Sequence, residues 1–237
     1  MTHEAVQVQE QPWEQVRGPV VRAAISVGVA TGAYGLSFGA LATASGLTVT
    51  QASALSVLTF SGGSQFALIG VLGGGGSVVS GSASAVLLGA RNLLYGARLA
   101  GPLGLAGWRR AVAAQLVIDE STAVALASED KGVRAARLGF WATGVAVFVL
   151  WNLSTLIGAV AGTAIGDPRD YGLDAAVPAA FIALVAPRLR TLPTWLTAAA
   201  AAAVALAVVP VVPAGVPVLL AALVPVFGVL VFKERER

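Results

Sequence analysis

The chain has 237 residues, 57% of them hydrophobic and 11% charged, with a mean hydropathy of +0.81 and a formal net charge of +3. Soluble domains carry about 25% charged residues, so a water-soluble globule is excluded, and the pI near 9.8 reflects basic residues set between apolar segments rather than a nucleic-acid surface. Cysteine is absent and His3 is the single histidine, which leaves no thiolate or imidazole set for a disulfide, a metal or a His-based catalytic centre; no cofactor is expected.

Residues 1–19 are polar, with Glu4, Glu10, Glu14 and Arg17, and lack the basic-then-apolar order of a cleaved signal peptide. They read as a cytoplasmic leader, in which Trp13 is either an interfacial anchor or part of a frayed tail. No charged residue intervenes between Arg22 and Arg91. A hydrocarbon core about 30 Å thick takes roughly 20 apolar residues per helix, so this stretch holds three crossings with their turns. Turn residues and charges divide the chain into eight apolar segments: 20–43, 51–72, 77–99, 109–127, 136–163, 175–187, 193–210 and 214–232. The expected fold is therefore all-α, one polytopic integral membrane helical bundle over 20–232 with seven or eight transmembrane segments, and a cytoplasmic tail at 233–237. Pro178, Pro187, Pro193 and Pro210 bound the short segments 175–187 and 193–210, and the first of these reads as a half-helix or a broken span.

If all eight segments cross, one side collects Arg17, Arg22, Lys131, Arg134, Arg137, Arg188, Arg190, Lys233, Arg235 and Arg237, ten of the fifteen basic residues. The positive-inside rule then puts both termini in the cytoplasm and the chain in the plasma (inner) membrane. Stripes such as Gly28-x-x-x-Gly32, Gly35-x-x-x-Gly39 and Gly158-x-x-x-Gly162 suit close helix packing. An internal echo pairs Phe66-Ala-Leu-Ile with Phe181-Ile-Ala-Leu, each after a long helix and a polar connector; it points to an internal repeat, parallel or inverted, of the kind transporters use.

Three constellations carry chemistry. Ser61-Gly62-Gly63-Ser64-Gln65 lies in the middle of the second segment, where paired glycines weaken a helix by about 1 kcal/mol each relative to alanine. A half-helix starting near Ser64 would turn its free amides and positive end toward an anion such as a carboxylate. The competing reading is a kinked helix whose serines bond their own carbonyls. The second constellation is Arg91-Asn92 with Asp119-Glu120. Arg91 and Asp119 each lie fourteen residues from a turn at Leu105, about 21 Å along two antiparallel helices, so an arginine–carboxylate pair at one depth is expected, with Gln115 nearby. One carboxylate is then left over as a candidate proton carrier. The third is Trp151-Asn152 with Tyr95, which line an apolar side-chain pocket or simply pack between helices. An intramembrane enzyme would need a nucleophile–base pair that this composition barely offers, and a channel or structural subunit is the main alternative to a transporter.

The strings Phe60-Ser61-Gly62-Gly63-Ser64-Gln65-Phe66, Arg91-Asn92-Leu93-Leu94-Tyr95-Gly96 and Asp119-Glu120-Ser121, followed by Asp167-Pro168-Arg169, Tyr171-Gly172-Leu173-Asp174 and Pro178-Ala179-Ala180-Phe181, resemble in order and spacing the AzlC family of branched-chain amino acid exporters. The resemblance runs over about 20–232, with Gly63 standing where the family usually has alanine. It implies the large subunit of a two-component permease, working with a small hydrophobic AzlD-type membrane subunit and exporting branched-chain or other apolar amino acids. An amino acid zwitterion needs a carboxylate site, an ammonium site and an apolar pocket. Ser61, Gly62, Gly63, Ser64, Gln65, Asn92, Tyr95 and Asn152 are the expected substrate contacts, and Arg91, Asp119 and Glu120 the charge pair and proton coupling. No nucleotide-binding loop is present, so the expected transport is secondary, with protons as coupling ion.

Overall fold

The computed structural model describes residues 12–165 and 189–228, together with Ala179, Ile182, Val185 and Ala186. The segment expected at 175–187 and the tail at 233–237 lie almost wholly outside these residues. Among the described residues all regular structure is helical: α1 (Trp13–Ala44), α2 (Val49–Leu58), α3 (Gly63–Gly73), α4 (Val78–Gly89), α5 (Arg91–Leu103), α6 (Gly107–Gln115), α7 (Asp119–Leu126), a short 3-10 turn (Glu129–Lys131), α8 (Val133–Ile165), α9 (Leu192–Val208) and α10 (Val216–Ala221).

Two of these, α1 and α8, are long and apolar enough to cross a membrane by length and composition. Their outward faces are apolar as well, with Ile25 and Val29 on α1 and Val145, Val149, Leu153 and Val160 on α8 exposed. A water-soluble fold would bury such stripes, whereas lipid accepts them. The helix of the first apolar segment starts earlier than its hydropathy suggests. Residues from Trp13 onward, inside the expected leader, are helical, and the Arg134 guanidinium stacks 3.9 Å over the Trp13 ring.

The expected segments 51–72, 77–99 and 109–127 correspond to helix pairs rather than single helices. The first is interrupted at Thr59–Gly62, as the paired glycines predict. The second, at Ala90, and the third, at Leu116–Ile118, correct the expectation of continuous helices. Each half has 8 to 13 residues, about 12–20 Å of rise, too short to traverse the hydrocarbon core alone.

The chain forms two compact units, residues 1–34 with 92–153 and residues 35–91 with 154–237, with α1 and α8 each contributing to both. In the first unit α5 and α6 join through Gly104–Ala106, at the turn expected near Leu105. Arg137 Nε donates to the Pro102 carbonyl (2.9 Å), satisfying one of the carbonyls a helix leaves open at its C-terminus, and Arg98 pairs with Glu129 at 2.6 Å on the surface. In the second unit α3 and α4 form an antiparallel hairpin, with Gly81 against Leu68 and Gly89 against Ser64. Ser80 and Ser84 of α4 donate to the carbonyls of Ala214 (2.9 Å) and Gly215 (3.3 Å), holding the start of α10. Phe38 and Phe66 meet edge to face at 5.6 Å in its core, and Ser56 of α2 donates to Thr155 of α8 at 3.2 Å.

Candidate functional site

The strings Phe60–Phe66, Arg91–Gly96 and Asp119–Ser121 each fall at a helix interruption, whereas Trp151-Asn152 lies within the continuous α8. At the first, Gly62 has φ +56° and ψ −86°, a backbone conformation that a Cβ disfavours, so the second segment cannot continue as one helix through this residue. Breaking a helix inside an apolar bundle frees carbonyls that must find new donors. Gln65, fully buried, supplies one: its Nε2 donates to the Ser56 carbonyl (3.2 Å) and joins Thr59 as a donor to the Leu55 carbonyl (3.0 Å), tying the end of α2 to the start of α3. The other end of the break is left open. Gly62 offers no side-chain cap, and the first intrahelical bond runs from Phe66 N to Gly62 O, so the amides of Gly63, Ser64 and Gln65 make up the uncapped first turn of α3. Ser64 Oγ and Gln65 Oε1 are buried there with no hydrogen-bond partner among the described residues.

Arg91 completes this end of the second unit. The α3–α4 hairpin returns the chain to the level of the break, and the guanidinium lies against Gly63, where a Cβ would stand 3.1 Å from Arg91 Nη2. A helix N-terminus carries about half a positive charge, and an arginine adds a full one with a planar donor fork matched to carboxylates. The break thus brings helix-start amides and a guanidinium together beside the Ser64 hydroxyl, which has no hydrogen-bond partner among the described residues.

The third interruption presents the opposite sign. Asp119 and Glu120 are the first two residues of α7, where the helix dipole favours anions. The Tyr95 hydroxyl donates to Asp119 Oδ1 at 2.6 Å, a length typical of charge-assisted O–H···O bonds, and Thr31 donates to Glu120 Oε1 at 3.5 Å. The fully buried Ser121 satisfies the break itself: its hydroxyl donates to the Leu116 carbonyl (2.6 Å) and accepts from Ile118 N (3.1 Å). These groups belong to the first unit, and Arg91 to the second.

The remaining expected contacts are less closely grouped. Asn152 is half-buried, and its Nδ2 is used on its own helix at the Phe148 carbonyl (2.7 Å); its Oδ1 and that of Asn92 are buried without a hydrogen-bond partner among the described residues. Trp151 is buried in the core and Gln115 is exposed. Ser61 and Gly62 are half-buried within the break. Sequence reasoning missed the bridging roles of Gln65 and Ser121. For Ser121 a signal existed, since Val117-Ile118 are weak helix formers just before two carboxylates and a serine. Among the described residues no group of three or more His, Asp or Glu side chains converges on a metal position.

Interrupted apolar helices with charged groups and unpaired polar atoms at the breaks are compatible with an integral-membrane helical bundle. The chain belongs to the AzlC family: the family model described as AzlC protein matches residues 26–165, a stretch that contains all three interruptions. This is a membrane-transport family associated with branched-chain amino acids. No curated protein and no solved structure matches the chain.

Proposed function

We propose that this protein is a secondary exporter of branched-chain and other apolar amino acids, driven by the proton gradient and acting as the large subunit of a permease with a small hydrophobic AzlD-type partner. The observation that carries this reading is the first break, where the uncapped amides of Gly63 to Gln65 and the Arg91 guanidinium share one spot beside the unpartnered Ser64 hydroxyl. Such a spot suits a substrate carboxylate. Asp119 and Glu120, with Tyr95 and Thr31 as hydroxyl donors, form the acidic break of the first unit and are the carboxylates proposed for proton coupling. Two carboxylates against one arginine leave one negative charge over: one balances Arg91 in charge count, and the other takes the coupling proton. Asn92 and Asn152 contribute the remaining polar contacts, and the chain sits in the plasma membrane with both termini in the cytoplasm. Export of a panel of labelled amino acids from cells, with and without the small subunit co-expressed, tests the proposal. Saturable export restricted to apolar side chains and dependent on the small subunit is expected. Flux linear in concentration and indifferent to side chain would mark a channel instead.

A further inference from the structure

The direction in which α1 and α8 pack is readable from which of their residues meet. Inside the first unit Val16 and Val20 cluster with Ala135 and Leu138, and a Cβ on Gly28 or Gly32 would stand 2.8 Å from Ala146 Cβ or 2.7 Å from Leu150 Cβ. Inside the second, a Cβ on Gly39 would strike the Thr155 carbonyl, one on Gly158 the Leu36 carbonyl, and one on Gly162 would lie 3.0 Å from Ala40 Cα. Residue numbers rise together on the two helices in both units, so α1 and α8 run parallel.

The contacts are also reciprocal. Leu36 and Thr155 are 119 positions apart in the sequence, as are Gly39 and Gly158, so Gly39 meets Thr155 just as its equivalent Gly158 meets Leu36. Residue i on j together with j on i is the mark of a two-fold axis. The same offset aligns Gly39-Ala40-Leu41-Ala42 with Gly158-Ala159-Val160-Ala161. It also matches the helix starts, Trp13 and Val133, to within one residue, for helices of 32 and 33 residues. We infer that the chain is built of two tandem repeats of like orientation, related by a two-fold axis along the α1–α8 seam that passes Gly39 and Gly158. An inverted repeat would turn the equivalent helix end for end. In the like-oriented arrangement α1 and α8 enter the membrane from one face, each led by basic residues, Arg17 and Arg22 on one and Arg134 and Arg137 on the other. The chain between them crosses an odd number of times, which the three interrupted helix pairs provide.

The chain has no native cysteine, so introduced ones report cleanly. Single variants Glu14→Cys and Lys131→Cys, treated in sealed membranes with an impermeant maleimide, are expected to react from the same face. Oxidation should cross-link Gly28→Cys with Ala146→Cys. It should leave uncoupled Gly32→Cys with Ile165→Cys, the pair that an antiparallel seam through Gly39 and Gly158 would join. Equivalence is tested by Gly39→Ala and Gly158→Ala, each expected to lower the yield of folded protein about tenfold, the scale of overpacking a tight contact. Gly18→Ala and Gly96→Ala, which meet nothing within 4 Å, should not. Labelling from opposite faces, or cross-linking of the 32–165 pair, would overturn the like orientation. Sensitivity at only one of Gly39 and Gly158 would overturn the two-fold axis.

Discussion

Gln65 and Ser121 perform one task at two different breaks: a fully buried polar side chain takes up backbone groups that an interrupted helix releases. Leaving a buried carbonyl without a donor costs about 1–3 kcal/mol, so Gln65→Leu, which takes the Gln65 amide from the Ser56 carbonyl while the Leu55 carbonyl keeps its Thr59 donors, is expected to destabilise the protein by about that amount, read as a lower melting temperature in detergent. Gln65 also shows where residue-level reading stops. Its place in a break was legible from the paired glycines beside it, but not which way its amide pointed, because that depends on where the end of α2 lies. Under the proposed function, Arg91 is the residue on which substrate binding turns. Removing its charge with Arg91→Gln should weaken substrate binding about 10- to 100-fold, the scale of hydrogen bonds to charged groups. Arg91→Lys should recover only part of the loss, because lysine keeps the charge without the planar fork. Concentration dependence of transport in vesicles of matched protein content measures both.

At the scale of elements, the long helices were legible and two of the three breaks were not. The segments 20–43 and 136–163 correspond to α1 and α8, which extend further at their N-terminal ends because polar and charged residues there, Glu14, Gln15 and Arg17 on α1 and Arg134 on α8, lower hydropathy without ending a helix. Segments 77–99 and 109–127 looked continuous because hydropathy measures how apolar a stretch is, not whether its hydrogen-bond ladder is intact. Nothing about Gly89-Ala90 announces an interruption, and Ala90 keeps right-handed helical angles. Gly62 did announce one, and its φ of +56° makes a direct prediction. Gly62→Ala should cost at least about 1–2 kcal/mol and disturb the N-terminus of α3, so that affinity and stability fall together. A variant with wild-type affinity and melting temperature would show that the break does not depend on glycine.

For the whole molecule, composition alone established the membrane-bundle class, because 11% charged residues cannot cover a soluble surface. The relation between the halves required the structure, since Gly39-Ala40-Leu41-Ala42 against Gly158-Ala159-Val160-Ala161 is too short a match to stand without the reciprocal contacts. The two carboxylates belong to this scale because coupling is a property of the full cycle. Asp119→Asn and Glu120→Gln should differ: one abolishes gradient-driven export while leaving substrate exchange, which needs no net proton movement, and the other lowers expression, as loss of a structural carboxylate does. Equal, wild-type export and expression in both variants would remove the carboxylates from the mechanism. The central claim, an amino acid held by its carboxylate at the break faced by Arg91, is tested most directly by competition in proteoliposomes containing the protein together with the proposed small subunit. Exchange of labelled leucine should saturate and be competed by leucine, isoleucine and valine, but not by leucine amide, which keeps the side chain and ammonium group and lacks the carboxylate. Equal competition by leucine amide, or exchange that never saturates, would contradict it.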